Sequence, residues 1–108
     1  MKNSFKSGIL GILILFFIAA NVKGQTGAIE GTVKDKLNSE DIIGTTVQID
    51  GTAIGTTTDV NGQFKLQNLK PGKYKLKVSY VSYTTRIKEN VIVENGRTAK
   101  IDVELTGN

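Results

Sequence analysis

The sequence lacks cysteine, histidine and tryptophan, and it contains one proline and one methionine among 108 residues. Without imidazole or thiol side chains, a Ser-His-Asp triad, a cysteine nucleophile and the usual zinc or copper sites are excluded. The fold must also form without disulfides. The composition therefore favours a single-domain binding or structural module over an enzyme, and it predicts no cofactor.

The one long apolar run lies near the N-terminus. Lys2 and Lys6 precede the uncharged run 8–20, and small residues end that run before Gly24. This pattern is typical of a cleaved signal peptide, because a membrane-spanning helix needs roughly 20 apolar residues. We predict a signal peptide over residues 1–24 and export to the periplasm, the outer membrane or the medium. An uncleaved membrane anchor is the alternative.

The charge balance depends on that segment. Lysine and arginine number 14, aspartate and glutamate number 10, and the net charge is +4. Three of the basic residues, Lys2, Lys6 and Lys23, lie in the predicted signal peptide. Their removal leaves 11 basic and 10 acidic residues, a net charge of +1. Charge therefore gives no argument for nucleic acid or an anionic membrane as a partner.

The residues after the signal peptide favour β-structure. Valine, isoleucine and threonine supply 28 of the 84 residues in 25–108, whereas alanine occurs three times. These β-branched side chains suit a pleated sheet. Nine glycines divide the segment into windows too short for a convincing helix. We therefore expect an all-β domain over residues 25–108.

Alternating apolar and polar residues predict about seven short strands. The first of them, Ala28 to Lys34, is expected at a sheet edge near the mature N-terminus. The turn at 58–63 and the Asn95-Gly96 pair are both interpreted as hairpin turns. Sequential antiparallel strands with one wet face pack most readily as two sheets. The expected strands are 28–34, 45–50, 53–57, 64–66, 73–80, a broken strand at 84–88 and 91–94, and 98–105.

Five short motifs occur in the order typical of one family. They are Gly31-Thr-Val33 with Asp35, Gly44-Thr-Thr-Val-Gln-Ile-Asp-Gly-Thr52, Gly55-Thr-Thr-Thr-Asp-Val-Asn-Gly-Gln-Phe64, Gly72-Lys-Tyr-Lys-Leu76 and Ser79-Tyr-Val-Ser-Tyr83. Together they resemble the carboxypeptidase regulatory-like domains. Such domains occur at the front of outer-membrane TonB-dependent transporters and as non-catalytic domains of some metallocarboxypeptidases. The resemblance implies a seven-stranded antiparallel β-sandwich, immunoglobulin-like or prealbumin-like, that stands here without a transporter.

Two positions depart from the family pattern. Ser82 replaces an expected glycine, so a positive φ at that corner would be strained. Ile42-Ile43 replaces the usual Pro-Leu pair before the second strand.

Asp59, Asn61 and Gly62 resemble the opening of a calcium-binding loop. The acidic residue that such a loop needs eleven positions after Asp59 is replaced by Lys70. We therefore interpret the three residues as a structural turn, in which Asp59 and Asn61 bond backbone amides and Gly62 takes a positive φ. No metal site is predicted.

The remaining charged residues are interpreted as solvated surface. A basic stripe for an anionic glycan or lipid head group is one interpretation of Lys65, Lys70, Lys73, Lys75 and Lys77. We expect the acidic residues Asp102 and Glu104 on neighbouring strands to neutralise it, and we favour a role of these lysines in preventing edge-to-edge aggregation. Glu30 and the Glu40-Asp41 pair are the nearest approach to paired catalytic carboxylates, and nothing places them across a pocket.

The predicted partner surface involves two places. The first strand carries Gly31 and Thr32, and an edge strand there could accept a strand from a partner. Tyr83 is the ring expected to be exposed, since Tyr74 and Tyr80 share the apolar face of their strand. An envelope protein is the favoured partner. A carbohydrate-binding module, using Tyr83 as a stacking platform, is the alternative.

Overall fold

The structure is a computed structural model that describes residues 25–108; the predicted signal peptide lies outside these residues. This part of the chain contains eight strands and no helix, and therefore no helix suited to crossing a membrane. The all-β prediction is confirmed. The strands are β1 (Gly27–Asp35), β2 (Thr46–Ile49), β3 (Gly55–Thr57), β4 (Gln63–Leu69), β5 (Gly72–Ser79), β6 (Arg86–Val93), β7 (Thr98–Lys100) and β8 (Val103–Leu105).

The strands form two sheets of four. In the first sheet, β4 pairs with one side of β1, and β7 and β8 pair in succession with its other side. The second sheet has the order β3-β2-β5-β6 and is antiparallel throughout. The first sheet departs from the expected antiparallel pairing, because β7 and β8 run parallel to β1.

The two sheets enclose one hydrophobic core. Alternation along each strand turns one set of side chains inward, as the sequence predicted. Residues 25–108 pair all eight strands among themselves and build this core, so they make a folding unit of their own. The buried apolar residues are Ile29, Val33, Ile42, Val47, Ile49, Phe64, Leu66, Leu69, Leu76, Val78, Val91, Val93, Val103 and Leu105.

The predicted edge position of the first strand is wrong. β1 is central, with β4 on one side and β7 and β8 on the other. Beside Gly31 the backbone that approaches closely is that of Ile101 in the same chain. The amide and hydroxyl of Thr32 both donate to Asp102 Oδ1, at 3.3 and 3.0 Å. Local alternation reveals a strand but not its neighbours, and β7 and β8 are separated from β1 by most of the domain.

Both predicted hairpins are also wrong. The turn at 58–62 joins β3 of the second sheet to β4 of the first, and Asn95-Gly96 joins β6 of the second sheet to β7 of the first. Gly62 and Gly96 do adopt positive φ values, 70° and 67°. These turns reverse the chain between layers, because the strands that they join find partners elsewhere.

Two strands have irregularities that alter the predicted boundaries. The segment expected to be a broken strand is the continuous β6, with a register shift opposite Tyr74 and Leu76 and a positive φ of 59° at Asn90. The segment expected to be one final strand is divided at Ile101 and Asp102 into β7 and β8.

The predicted neutralisation of the lysine face is wrong as well. Asp102 and Glu104 belong to the first sheet or its margin, whereas Lys73, Lys75 and Lys77 lie on β5 in the second sheet. Lys75 instead forms a salt bridge with Glu89 on the adjacent strand β6, at 3.3 Å. The sequence indicated the lysine face correctly but could not show which strands flank it.

Candidate interaction surface

Four segments meet at one end of the sandwich, because β1, β3, β5 and β8 all finish there. They are the β1–β2 loop 36–45, the β3–β4 loop 58–62, the β5–β6 loop 80–85 and the C-terminal residues 106–108. We call these segments the loop end. Hydrogen bonds tie them together: the Gly44 amide donates to the Thr58 carbonyl at 3.0 Å, and the Thr84 amide donates to the Thr106 carbonyl at 2.9 Å.

The loop end concentrates the exposed apolar side chains of the described residues. Its five large exposed ones are Leu37 (89% exposed), Val81 (74%), Val60 (72%), Ile43 (52%) and Tyr80 (38%). The opposite end of the sandwich exposes Ile54, and the strand β6 exposes Ile87 and Ile92. Single exposed apolar residues are ordinary on protein surfaces, but a group of five on adjoining loops indicates a contact surface.

The charged residues of the loop end are mostly acidic. Asp35, Glu40, Asp41 and Asp59 lie within or directly beside loops 36–45, 58–62 and 80–85, which contain Lys36 and are flanked by Lys34 and Arg86. Asp41 is also within 3.8 Å of the Lys34 ammonium on β1. The apolar side chains therefore lie within an acidic border, although residues 25–108 as a whole carry a net charge of +1.

Asp35 organises the β1–β2 loop. Its Oδ1 accepts the amides of Leu37, at 2.8 Å, and Asn38, at 3.3 Å. Its own amide donates to the Glu40 carbonyl at 2.8 Å, and Ser39 between them takes a φ of 61°. These bonds close the loop into a compact turn that projects Leu37 into solvent.

The hydroxyl of Tyr83 donates to the other carboxylate oxygen, Asp35 Oδ2, at 2.7 Å. This bond, with the Leu37 amide, holds the pKa of Asp35 below its ordinary value. The same bond, followed by desolvation, raises the pKa of Tyr83. The bond favours the ionised carboxylate of Asp35 and the protonated phenol of Tyr83. It therefore attaches the β5–β6 loop to the end of β1 across the normal pH range.

A pair of buried threonines joins two of the loops, and sequence reasoning missed it. Thr58 Oγ1 accepts the Thr45 amide at 2.9 Å and donates to the Ile42 carbonyl at 2.5 Å. The Thr58 amide in turn donates to the Thr45 carbonyl at 2.9 Å. Both threonines are buried, so these bonds satisfy groups that water cannot reach. The pair lies in threonine-rich motifs, and the sequence does not show which of these threonine hydroxyls are buried.

The β3–β4 turn is built on the three residues predicted for it. Asp59 Oδ1 accepts the amides of Asn61 and Gln63, each at 2.9 Å, and the Gly62 amide donates to the Asp59 carbonyl. The predicted bond from the Asn61 side chain to a backbone amide is wrong, because Asn61 enters this network through its own backbone amide. The turn projects Val60 outward. Among residues 25–108, no group of three or more potential metal ligands converges here or elsewhere.

The tyrosines are placed differently from the prediction. Tyr83 is partly buried and packs against the core, whereas Tyr80 is the exposed ring. Their ring centroids are 6.2 Å apart with a 40° tilt. Ser82 between them has a φ of 68°, a conformation that costs a serine about 1–2 kcal/mol. The chain therefore makes the corner that the family pattern implies, despite lacking the glycine.

The predicted site residues do not form one surface. Gly31 and Thr32 lie in the central strand β1, and Tyr83 lies at the loop end. Sequence reasoning missed Leu37, Ile43, Val60 and Val81. A signal for them was present, because each is an apolar residue within a segment otherwise typical of a polar turn.

A groove of about 660 Å³ lies on the outer face of the first sheet, beside β3. Thr32, Gln63 and Asp102 contribute to it, as does Glu30, which lies between Lys65 and Lys100 at 4.0 and 3.7 Å. Phe64 is the one aromatic residue among its lining residues, and its ring is buried. Neither this groove nor Tyr83 offers the exposed stacking platform that the carbohydrate-binding alternative requires.

Comparisons with known proteins agree with this architecture. The model of the carboxypeptidase regulatory-like domain family matches residues 28–106, which confirms the resemblance seen in the motifs. No curated protein matches the chain significantly in sequence.

Solved structures share the fold. A chain of a mutant type II cohesin–X–dockerin complex from Acetivibrio cellulolyticus has a TM-score of 0.61 at 25% identity, over 71% of this chain and 52% of that one. The TIE protein of Bacillus anthracis gives 0.62 at 21% identity, over 77% of this chain and 17% of that one. The minor pilin GBS52 of Streptococcus agalactiae has a TM-score of 0.58 at 16% identity, over 78% of this chain and 45% of that one. This chain thus spans about half or less of each of these chains.

Proposed function

Because the chain belongs to the carboxypeptidase regulatory-like domain family, we propose that it is an exported, non-catalytic β-sandwich that binds a protein partner at the cell envelope. The family and its mostly non-catalytic structural neighbours support a module of this kind. One similar chain comes from a protein–protein complex and another is a pilin. The loop end is the surface that we assign to partner binding.

The observation that carries the proposal is the group of five exposed apolar side chains on adjoining loops. These loops are fixed by the Asp35, Thr58 and Asp59 hydrogen bonds. A surface that is already ordered loses little conformational entropy on binding, so more of the apolar burial contributes to affinity. Exposed side chains that bring a solubility cost are best explained by a partner that covers them.

The acidic border defines the chemistry of the partner. The four carboxylates outnumber the nearby basic side chains Lys34, Lys36 and Arg86, and an excess of negative charge disfavours an anionic lipid surface. They favour a protein with an apolar patch bordered by lysine or arginine, since complementary charge promotes encounter and fixes orientation. Binding through this surface should therefore weaken as salt concentration rises.

The test compares two substitutions at opposite ends of the sandwich. Val81→Asp places a charge within the apolar group, and Ile54→Asp places the same charge on another exposed apolar side chain at the other end (51% exposed, against 74% for Val81). Proteins cross-linked to residues 25–108 in envelope extract are identified, and each is then purified and titrated by calorimetry. We expect at least a tenfold loss of affinity for Val81→Asp, equivalent to about 1.4 kcal/mol.

The control should bind as the wild type does. A purified partner that binds Val81→Asp and wild type equally would show that the loop end is not the binding surface. Retention on a neutral polysaccharide, with no protein bound, would favour the carbohydrate-binding alternative instead.

A further inference from the structure

The strand β7 has an unpaired side. The Ala28 amide donates to the Arg97 carbonyl at 3.0 Å, and the Ile101 amide donates to the Glu30 carbonyl at 2.8 Å. In a parallel ladder this alternation directs residues 97, 99 and 101 toward β1. The main-chain groups of Thr98, Lys100 and Asp102 therefore point away from the sheet, where no strand of residues 25–108 pairs with them.

The other edges of the described sandwich are protected. β3 has three residues, and β4 and β6 each contain a register shift with a positive-φ asparagine, Asn68 or Asn90. Such irregularities prevent strand addition. The continuation of β7 is covered as well, because the Arg86 guanidinium donates to the Glu104 carbonyl at 3.2 Å. The strand β7 is itself three residues long, but its pairing with β1 continues in the same register into β8, so the stretch Thr98 to Asp102 is an edge without a register shift or a positive φ.

We propose that two copies of this chain associate by pairing their Lys100 to Asp102 segments antiparallel, about a two-fold axis through Ile101. In this register Lys100 of each copy lies opposite Asp102 of the other. Each of these two pairs exchanges main-chain hydrogen bonds, because both residues direct their amides and carbonyls outward. Their side chains also bring opposite charges together twice, which stabilises a cross-strand pair.

The charges select this register over its neighbour. A shift of one residue in the axis, to Lys100, places the two Lys100 ammoniums directly opposite each other, which is unfavourable. Both hydrogen bonds from Thr32 are to Asp102 Oδ1, so Asp102 Oδ2 can contact the Lys100 ammonium of the other copy. The segment is therefore self-complementary, and a two-fold dimer needs such a surface.

Apolar contact supports the same arrangement. Ile101 is partly buried and packs against the core in one copy. At the two-fold axis the two Ile101 residues form a non-hydrogen-bonded pair, the type in which Cα atoms approach to about 4.5 Å. Association would thus cover the exposed part of both side chains and extend the first sheet across two copies.

The experiment measures the mass of residues 25–108 by sedimentation equilibrium. Lys100→Glu places like charges opposite Asp102 in both pairs, and we expect the dissociation constant of the dimer to rise at least tenfold. Lys65→Glu is the matched control, because Lys65 and Lys100 flank Glu30 from opposite edges. The control should leave the dissociation constant within about twofold of wild type, less than half a kcal/mol.

A charge exchange makes the test specific. Asp102→Lys alone should also weaken the dimer, whereas an equimolar mixture of Lys100→Glu and Asp102→Lys should form a mixed dimer in which both pairs again join opposite charges. Circular dichroism establishes that each variant is folded. A wild type that remains a single copy up to about 1 mM, or a dimer that Lys100→Glu does not weaken, would overturn the proposal.

Discussion

Tyr83 and Asp35 are 48 positions apart in the sequence, and a hydrogen bond of 2.7 Å joins their side chains. The bond lowers the pKa of the carboxyl group and raises the pKa of the phenol. A carboxyl group with a lowered pKa adds stability that is lost as the pH falls through its folded value. A phenol with a raised pKa adds stability that is lost as the pH rises through its folded value.

We expect Tyr83→Phe to lower the free energy of unfolding by a constant amount between about pH 4 and pH 10. Below that range the carboxyl group becomes protonated, and above it the phenol ionises, so the difference from wild type should shrink on both sides. Urea unfolding at several pH values measures the difference. The buried Thr45 and Thr58 bonds contain no titrating group and should remain intact throughout.

Tyr80→Phe provides the control for that series. It removes the same atom from the neighbouring ring, while the bond to Asp35 remains. Its effect on unfolding should not vary between pH 2.5 and pH 6, values that bracket the titration of a carboxyl group at about pH 4. If the Tyr83→Phe difference also persisted unchanged at the acid end, the bond to Asp35 would not be the source of its stability.

At the scale of elements, the division between β7 and β8 lies directly over Gly31. A Cβ atom at this position would be 1.6 Å from the Ile101 carbonyl oxygen and 3.1 Å from the Phe64 ring. Because the closest atom belongs to the backbone, the paired strands would have to separate. We expect Gly31→Ala to reduce the free energy of unfolding by about 3 kcal/mol or more, at the upper end of overpacking effects.

Gly72→Ala is the matched substitution on another strand. No heavy atom lies closer than 4.0 Å to a Cβ atom placed there, and the change should be under about 1 kcal/mol. Denaturant unfolding of the two variants gives the comparison. Equal stability of the two would mean that the Ile101 backbone does not occupy the space above Gly31.

At the scale of the whole molecule, the proposed role requires export. We expect the protein from the envelope fraction to begin at Gln25, because small residues end the apolar run before Gly24. Intact mass spectrometry distinguishes this species from the full chain. A mass that still includes residues 8–20 would indicate a membrane anchor, and the loop end would then have to find its partner at the inner membrane.

The sequence by itself determined the class of fold and the inward face of nearly every strand. Alternation in β2, β4, β5 and β8 identified Val47, Phe64, Leu76 and Val103 as core residues, and all four are buried. The reason is physical: a strand with one wet face must place its apolar residues on the other. The ordered glycine and aromatic motifs likewise identified the family.

The tertiary structure alone decided which strands are neighbours and which side chains gather at the loop end. Parallel pairing of β1 with β7 and β8 joins segments about seventy residues apart, and local periodicity contains no information about such partners. For the same reason Tyr83 proved to be a partly buried anchor for Asp35, while Leu37, Val60 and Val81 project from loops at the same end of the sandwich. Their proximity follows from the direction in which each strand crosses the sandwich, which only the assembled sheets define.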